Sequence, residues 1–361
     1  MTISSYERSV ETLIVGQGIA GTAVAWELER RGESYLIVDE GQSPTSSLVA
    51  AGLITPVTGK RLTIAEHFDE LNLSAQTFYK FIEKRLRCHF FFDQPALRLC
   101  YSDEEAAQFE LRADKLRKSG HVCHAVTAAD SAYRPTRHAF LMPNAARLDT
   151  QIYLHASRQH FSSEHKQIIA RLDIPAMRID KDRVCFDSSS LTARRVIFCG
   201  GYQDQYNPWL PQGVFDCAKG EILRLQIEGF TERRTVHANM SWLCPTADNE
   251  SYLFGATYAH GEFELNTTEE AKEQLVNRLA GIITYPFSVT GHVFGIRPVG
   301  PDRRVIVGRH AAHSSLFWLN GLASKGALHA PYLASQLVDA MLSGDDLDIG
   351  LVPAYVGDQA S

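Results

Sequence analysis

Gly16, Gly18 and Gly21 stand in the stretch LIVGQGIAG at a spacing that brings protein backbone close to a pyrophosphate. In a strand-turn-helix unit the three have separate tasks. Gly16 makes the tight turn, Gly18 clears room where backbone meets the ligand, and Gly21 lets the helix pack closely on the strand. Ile19 and Ala20 complete the turn into the helix. A carboxylate should follow about 20 residues later to accept hydrogen bonds from an adenosine ribose. The segment YLIVDE ends there in Asp39 and Glu40, and Asp39, which closes the strand, is the better placed. The chemistry is dinucleotide binding; on these residues alone the choice between NAD and FAD stays open.

The elements around these residues fit the task. Thr12 to Val15 reads as a buried strand, and Ile19 to Arg31 as a helix with Ala20, Val24 and Leu28 on one face, stopped by Gly32. A loop, SLVAAGLITPVTGKRL, precedes a long helical stretch from about Ile64 to Arg87. HFFFD and ALRLCY read as strands, and SDEEAAQFELRADKLRKSG as a helix. A helix from Asp149 to about Phe161 and the strands IIARLD and RVIFCGGY return to the style of the opening unit. GEILRLQI, SWLCP and SYLFGATY read as an antiparallel sheet, and the chain closes with strand, strand, glycine loop and helix through ALHAPYLASQLVDAML. There is no repeat, low-complexity tract or Pro/Gly-rich linker, so a second domain must be inserted into the first.

Composition narrows the class. With 361 residues the chain exceeds what one hydrophobic core usually serves. Apolar residues at 45% and charged residues at 22% describe an ordinary globular protein with no run long enough to cross a bilayer. The N-terminus lacks the basic start and long apolar stretch of a secretory signal, so a cytoplasmic protein is expected. Seven cysteines without a C-x-x-C pair argue for reduced thiols rather than a disulfide framework. The net charge of −6 offers no global attraction to nucleic acid. Histidines show no metal-site spacing and there is no G-x-S-x-G elbow, so neither a metal nor a nucleophile is expected.

VAAGLITP, RVIFCGGY, GIRPVGPDRRVIVG and NGLASKGALHAPYLASQLVDAM, in this order, resemble the successive motifs of the FAD-dependent D-amino-acid oxidase and glycine oxidase family. The likeness runs from Leu13 to about Leu342 and is weaker from Arg87 to Thr136 and from Gly261 to Thr290, where such proteins read their substrates. Cys244 to His260 and GLASKGALHAP are also similar to the flavin domain of a bifunctional bacterial enzyme that modifies tRNA wobble uridines, whose methyltransferase half has no counterpart in this sequence.

The resemblance implies an α/β (α+β) fold, a Rossmann-like FAD-binding domain (1–86, 140–215 and 291–361) with an inserted antiparallel-sheet substrate domain (87–139 and 216–290). It implies FAD, with its pyrophosphate on the helix starting near Gly18 and its ring by Ala50, Ala51, Gly52 and Leu53. Asp173 would offer backbone to the adenine, and Gly200 and Gly201 would flank the pyrophosphate. The loop Gly321, Leu322, Ala323, Ser324, Lys325 and Gly326 opens a helix whose amides stabilise negative charge on a reduced flavin. Lys325 adds charge there or is simply solvated. Arg297 falls where the family grips a substrate carboxylate, a task suited to its planar fork; the alternative is a surface ion pair. Trp242 replaces a substrate-contacting tyrosine, implying a flatter or larger substrate, or is a core residue. Ser324 replaces a pocket arginine, and Lys60 and Arg61 either bind acidic substrate groups or are solvated. The implied activity is oxidation of the C–N bond of an amino acid or secondary amine by hydride transfer to flavin. Imine hydrolysis and flavin reoxidation by dioxygen or another acceptor would follow. Alternatives are a stand-alone enzyme of tRNA wobble-uridine modification and a flavin-binding protein without turnover.

Overall fold

The computed structural model describes residues 8–41, 44–123, 132–181, 183–210, 212–261, 264–352 and 354–355. Its first sheet is built around Arg8–Val15, which pairs in parallel with Tyr35–Asp39 on one side and Leu191–Phe198 on the other. Gln167–Ile169 extends the first side, and Leu316–Asn320, Val305–Arg309 and Ala354–Tyr355 extend the second. The two neighbours of Arg8–Val15 are reached by connections running in opposite directions. This makes the carboxyl edge at Val15 a topological switch point, where open α/β sheets bind their ligands.

Alternation along these strands divides two cores. Ile14, Ile37, Ile197, Phe317 and Leu319 face the helices Ile19–Arg30, Phe68–Leu86, Thr150–Ser163 and Gly326–Ser343. Leu13, Leu36, Val196, Phe198 and Trp318 face the opposite layer, with Val184 and Phe186. Within the first layer the Trp26 indole N–H donates to Ser157 Oγ at 2.9 Å.

The second sheet runs Ala259–His260, Ala218–Ile227, Tyr252–Gly255, Ser241–Pro245, Thr235–Ala238, Ala96–Cys100 and His138–Met142, with Phe287–Arg297 also on Ala218–Ile227. One face carries Leu223, Leu225, Val236, Leu243 and Phe254 and is closed by Leu275 and Leu279 of the helix Glu269–Ala280. The other face looks onto the carboxyl edge of the first sheet. His138–Met142 and Phe287–Arg297 each run across an expected domain boundary, 139/140 and 290/291.

Several elements differ from the sequence reading. No helix is expected between Gly261 and Thr290, yet Glu269–Ala280 forms one, capped by Thr268, whose Oγ1 accepts from Ala271 N at 3.3 Å. The expected loop after Asp39 holds the short helix Ser46–Val49, the strand Leu53–Ile54 and a hairpin of Val57–Thr58 with Thr63–Ile64. The long helix starts at Phe68 rather than Ile64, because Thr63 and Ile64 are taken by that hairpin. IIARLD is a strand only through Ile169, where its partner strand ends at Asp39.

Gly21 packs the first helix against the turn that precedes it. A Cβ there would overlap the Gly16 carbonyl oxygen. Gly21→Ala is therefore expected to destabilise the protein by on the order of 3 kcal/mol, the cost of forcing atoms into a filled core. Urea unfolding at neutral pH measures it.

Candidate active site

Four parallel strands end side by side, and residues at or just beyond their ends line one cleft of about 1880 Å³: Gly16, Asp39, Gly200 and Gly321. An ordinary ligand pocket holds roughly 300–1,000 Å³, so this one has room for two molecules. Gly18, Ile19, Ala20, Glu40, Ala50 to Leu53, Gly201 and Leu322 to Gly326 line it as well, as do Trp242 and Arg297 on the facing sheet. Two helix N-termini meet there. A Cβ on Gly326 would stand 3.0 Å from Ile19, so the positive ends of both helices face the same space.

Four residues singled out in the sequence lie elsewhere. Gly21 serves helix packing and does not line the cleft. Asp173 is exposed, and its carboxylate accepts from Ala176 N at 3.3 Å; its neighbours Leu172 and Ile174 line the cleft instead. Lys60 and Arg61 are exposed in the hairpin turn after Gly59.

The strand ends are tied by buried polar groups that carry no sequence signature. Asp204 Oδ2 accepts from Gly200 N at 2.8 Å and from Asn320 Nδ2 at 2.7 Å. Asn320 Oδ1 in turn accepts from Gly321 N at 2.8 Å. Desolvation pushes the Asp204 carboxyl up to about 6 against these hydrogen bonds. Asp39 is held by Gln17 N at 2.7 Å, Gly41 N at 2.8 Å and Arg158 Nη2 at 3.3 Å. A carboxylate offers about four acceptor positions, which leaves one of them free.

Gly18 bears directly on whether a cofactor fits. Its backbone, φ −76° and ψ −165°, is open to any residue. A Cβ there would meet only Ser47, with Oγ at 3.0 Å. Conformation does not demand glycine, and a Cβ would ask only the Ser47 hydroxyl to give way by a few tenths of an ångström, so most of the space Gly18 leaves is open to a ligand. At the other end Lys325 faces the open cleft, and desolvation lowers its ammonium pKa. His329, one helical turn on, is buried with Nδ1 unpartnered among the described residues. Its imidazole is held neutral, at about 3, by desolvation and then by the Lys325 charge. Ser324 is exposed beside them.

The roof is the open face of the second sheet. Arg297 lies flat across Gly220, where a Cβ would collide with its guanidinium. The guanidinium carbon sits 5.3 Å from the Tyr258 ring centroid, and Nη1 is 3.5 Å from Thr257 O. Desolvation lowers its pKa, yet it remains a cation. No carboxylate pairs with it among the described residues. Trp242 extends over Gly255, where a Cβ would stand 3.1 Å from the indole and 2.9 Å from Ile222. The Thr257–Tyr258 segment is pinned from behind: Glu221 N donates to Thr257 Oγ1 at 2.9 Å. The buried Glu221 carboxylate takes Lys219 at 3.0 Å and Thr268 N at 2.9 Å. SYLFGATY thus stops being a strand at Gly255 because Thr257 turns to bond Glu221.

Residues 11–340 match the family FAD dependent oxidoreductase, and the chain belongs to that family. It is accordingly an FAD-dependent oxidoreductase, the class to which the glycine cradle and its facing sheet correspond. The chain is 27% identical over 347 residues, 92% of its length, to the tRNA 5-methylaminomethyl-2-thiouridine biosynthesis bifunctional protein MnmC of Maricaulis maris, and covers 52% of that protein. It thus spans about half the length of the first such relatives. It is 22% identical to the glycine oxidase of Bacillus licheniformis, covering 92% of this chain and 93% of that one. The fold is that of glycine oxidase from Geobacillus kaustophilus, with TM-score 0.81 at 18% identity over 98% of this chain and 100% of the other. Iminodiacetate oxidase from Chelativorans sp. BNC1 superposes with TM-score 0.79 at 20% identity, over 97% and 100%. Among the described residues no helix is long and apolar enough to cross a membrane, and no cluster of three or more metal-ligating side chains occurs.

Asp204 makes the stability of the strand ends depend on pH. Its folded pKa of about 6 lies above the ordinary 3.8, so its contribution is full below about 3.8 and is lost as pH rises through 6. Asp204→Asn removes this loss. From pH 4 to pH 7 the variant should gain on the wild type by on the order of 3 kcal/mol, read by urea unfolding at four pH values. A flat difference would place the proton elsewhere.

Proposed function

We propose that the protein oxidises the carbon–nitrogen bond of an amino acid or secondary amine, with Arg297 holding the substrate carboxylate. The observation that carries this is the guanidinium itself. It is seated over Gly220 and against Tyr258, has no carboxylate of its own among the described residues, and faces a dinucleotide-sized cradle across the cleft. A fork fixed in this way binds a carboxylate at two points. The similarity to glycine oxidase and iminodiacetate oxidase supports the same reading.

FAD, when bound, supplies the two-electron acceptor, which dioxygen or another acceptor restores. The positive end of Ile19–Arg30 and the space left by Gly18 would hold its pyrophosphate, and the free acceptor position of Asp39 would take a ribose hydroxyl. Ala50 to Leu53 and the loop Gly321 to Gly326 would hold its ring, Gly200 and Gly201 its pyrophosphate, and backbone near Asp173 its adenine. Lys325 and the helix N-terminus behind it favour negative charge at that end. Arg297 would orient the substrate so that its C–H bond faces the side of the cleft that would hold the flavin, an orientation effect worth up to about 7–11 kcal/mol. Trp242 and Tyr258 cover the substrate and exclude water. This division makes residues 1–86, 140–215 and 291–361 the cofactor domain and the rest the substrate domain, with His138–Met142 and Phe287–Arg297 shared. Cytoplasmic placement belongs to the same proposal. A second reading, in which the amine is borne by a tRNA uridine, is supported by the 27% identity to the MnmC protein; flavin bleaching by modified tRNA and not by free amino acids would favour it.

Two variants separate cofactor from substrate. Gly18→Val should abolish FAD retention while leaving the unfolding transition near that of the wild-type apoprotein, since its side chain enters the cleft rather than the core. Undiminished flavin after gel filtration would contradict it. Arg297→Ala should keep FAD and its spectrum but lose about 1.5–3 kcal/mol in kcat/KM for an active amino acid, with Arg297→Lys intermediate. Anaerobic flavin reduction by the acid and by its decarboxylated amine measures it; equal losses for both would make Arg297 structural.

A further inference from the structure

The open face of the second sheet carries a row of side chains in register from one edge of the cleft to the other. Arg98 pairs with His237, His237 with Trp242, Trp242 with Gly255, and Gly255 with Ile222. Arg98, His237, Trp242 and Ile222 all line the cleft. Arg297 stands at one end, over Gly220 on the same strand as Ile222. Arg98 stands at the other, four strand spacings away, roughly 19 Å between backbones at about 4.8 Å per strand.

The far end is polar and unsatisfied. Arg98 is 5% exposed and donates through Nη2 to Glu105 Oε1 at 2.7 Å and to Gly59 O at 3.5 Å. Its Nε has no partner among the described residues, and neither has His237 Nε2. Desolvation, with the Arg98 charge second, keeps the imidazole neutral. Buried polar groups are costly to leave unpaired, so two orphans on neighbouring strands of a cleft wall describe a place where a ligand supplies the missing bonds. The charge balance says which ligand. Glu105 already neutralises Arg98, so a second carboxylate would be a buried charge in excess, and an ammonium would meet a guanidinium.

We propose that Arg98 and His237 form a distal subsite for a neutral hydrogen-bonding group, an amide, carbonyl or hydroxyl, on an extended substituent of the substrate. The substrate class is then an amino acid whose nitrogen or side chain carries a long arm. The carboxylate is held on Arg297, the arm passes under Trp242, and its polar tip reaches His237 and Arg98. This rests on the carboxylate role of Arg297.

The test uses the FAD-loaded protein and N-alkylglycines of one length ending in carboxamide, carboxylate or isopropyl, with N-methylglycine as the short reference. The carboxamide should exceed its isopropyl isostere by about tenfold or more in kcat/KM for anaerobic flavin reduction, because a site built to hydrogen-bond rejects the analogue that cannot. The carboxylate should fall below the carboxamide. The ratio of carboxamide to isopropyl should drop to about one in His237→Phe. It should do the same in Arg98→Met combined with Glu105→Leu, which avoids stranding a buried carboxylate. A ratio cancels any general loss of activity. A wild-type ratio near one, or a ratio kept in both variants, overturns the subsite. If N-methylglycine and the longer compounds leave the flavin oxidised, C–N oxidation is what fails; the subsite is then read from shifts in flavin absorbance on binding, where the same ratio must appear. Equal shifts, or none, reject it.

Discussion

Parallel strands that stop at one edge leave backbone N–H groups with no strand beyond them to accept, and this shortage governs the whole carboxyl edge of the first sheet. Gly16 N reaches across to Val38 O at 2.9 Å and Cys199 N to Val15 O at 2.8 Å. The next amides turn to side chains: Gln17 to Asp39, Ile19 to Ser47 at 3.1 Å, Gly200 to Asp204 and Gly321 to Asn320. A carboxylate as deeply buried as Asp204 is tolerated because it answers donors from two strand ends at once. The positive ends of the two helices that start at Ile19 and Gly326 make the same edge receptive to an anionic ligand.

The two sheets are held in relation by one long strand. Phe287–Arg297 is paired along Ala218–Ile227 in the second sheet, yet a Cβ on its Gly295 would stand 2.9 Å from Ser46 Cα and 2.7 Å from Val49. The short helix that leads into the expected flavin loop is therefore pressed on the strand that ends in Arg297. The positions of Arg297 and of the Ala50 to Leu53 loop are thereby coupled through one contact.

The sequence was most legible where local backbone chemistry fixes which residues come to line the cleft. The glycines of the first turn, the acid closing Tyr35–Asp39 and the Gly321 to Gly326 loop could be read because each needs particular residue types at fixed spacing. Arg297 and Trp242 were legible only through family resemblance, since nothing near them in sequence distinguishes a cleft-facing strand residue from a buried one. Asp204, Arg98, His237 and Glu221 were not legible. Their roles come from strand neighbours 116, 139 or more residues away, or from a cap on a helix 47 residues on. The helix Glu269–Ala280 did carry a local signal, Thr268 followed by two acids with Leu275 and Leu279 four apart, and the weak family likeness there obscured it.

The second sheet also separates two kinds of information along the same strands. In Thr235–Ala238 and Ser241–Pro245 the residues His237 and Trp242 face the cleft while Val236 and Leu243 face the helix-covered core. Positions that face the cleft thus alternate with positions that keep the domain folded. A lineage, or a mutagenesis library, can exchange His237 and Trp242 while leaving Val236 and Leu243 untouched, whereas Gly220 lies under the Arg297 guanidinium and Arg98 is tied to the buried Glu105, so variation in the roof is open at its middle and closed at its ends.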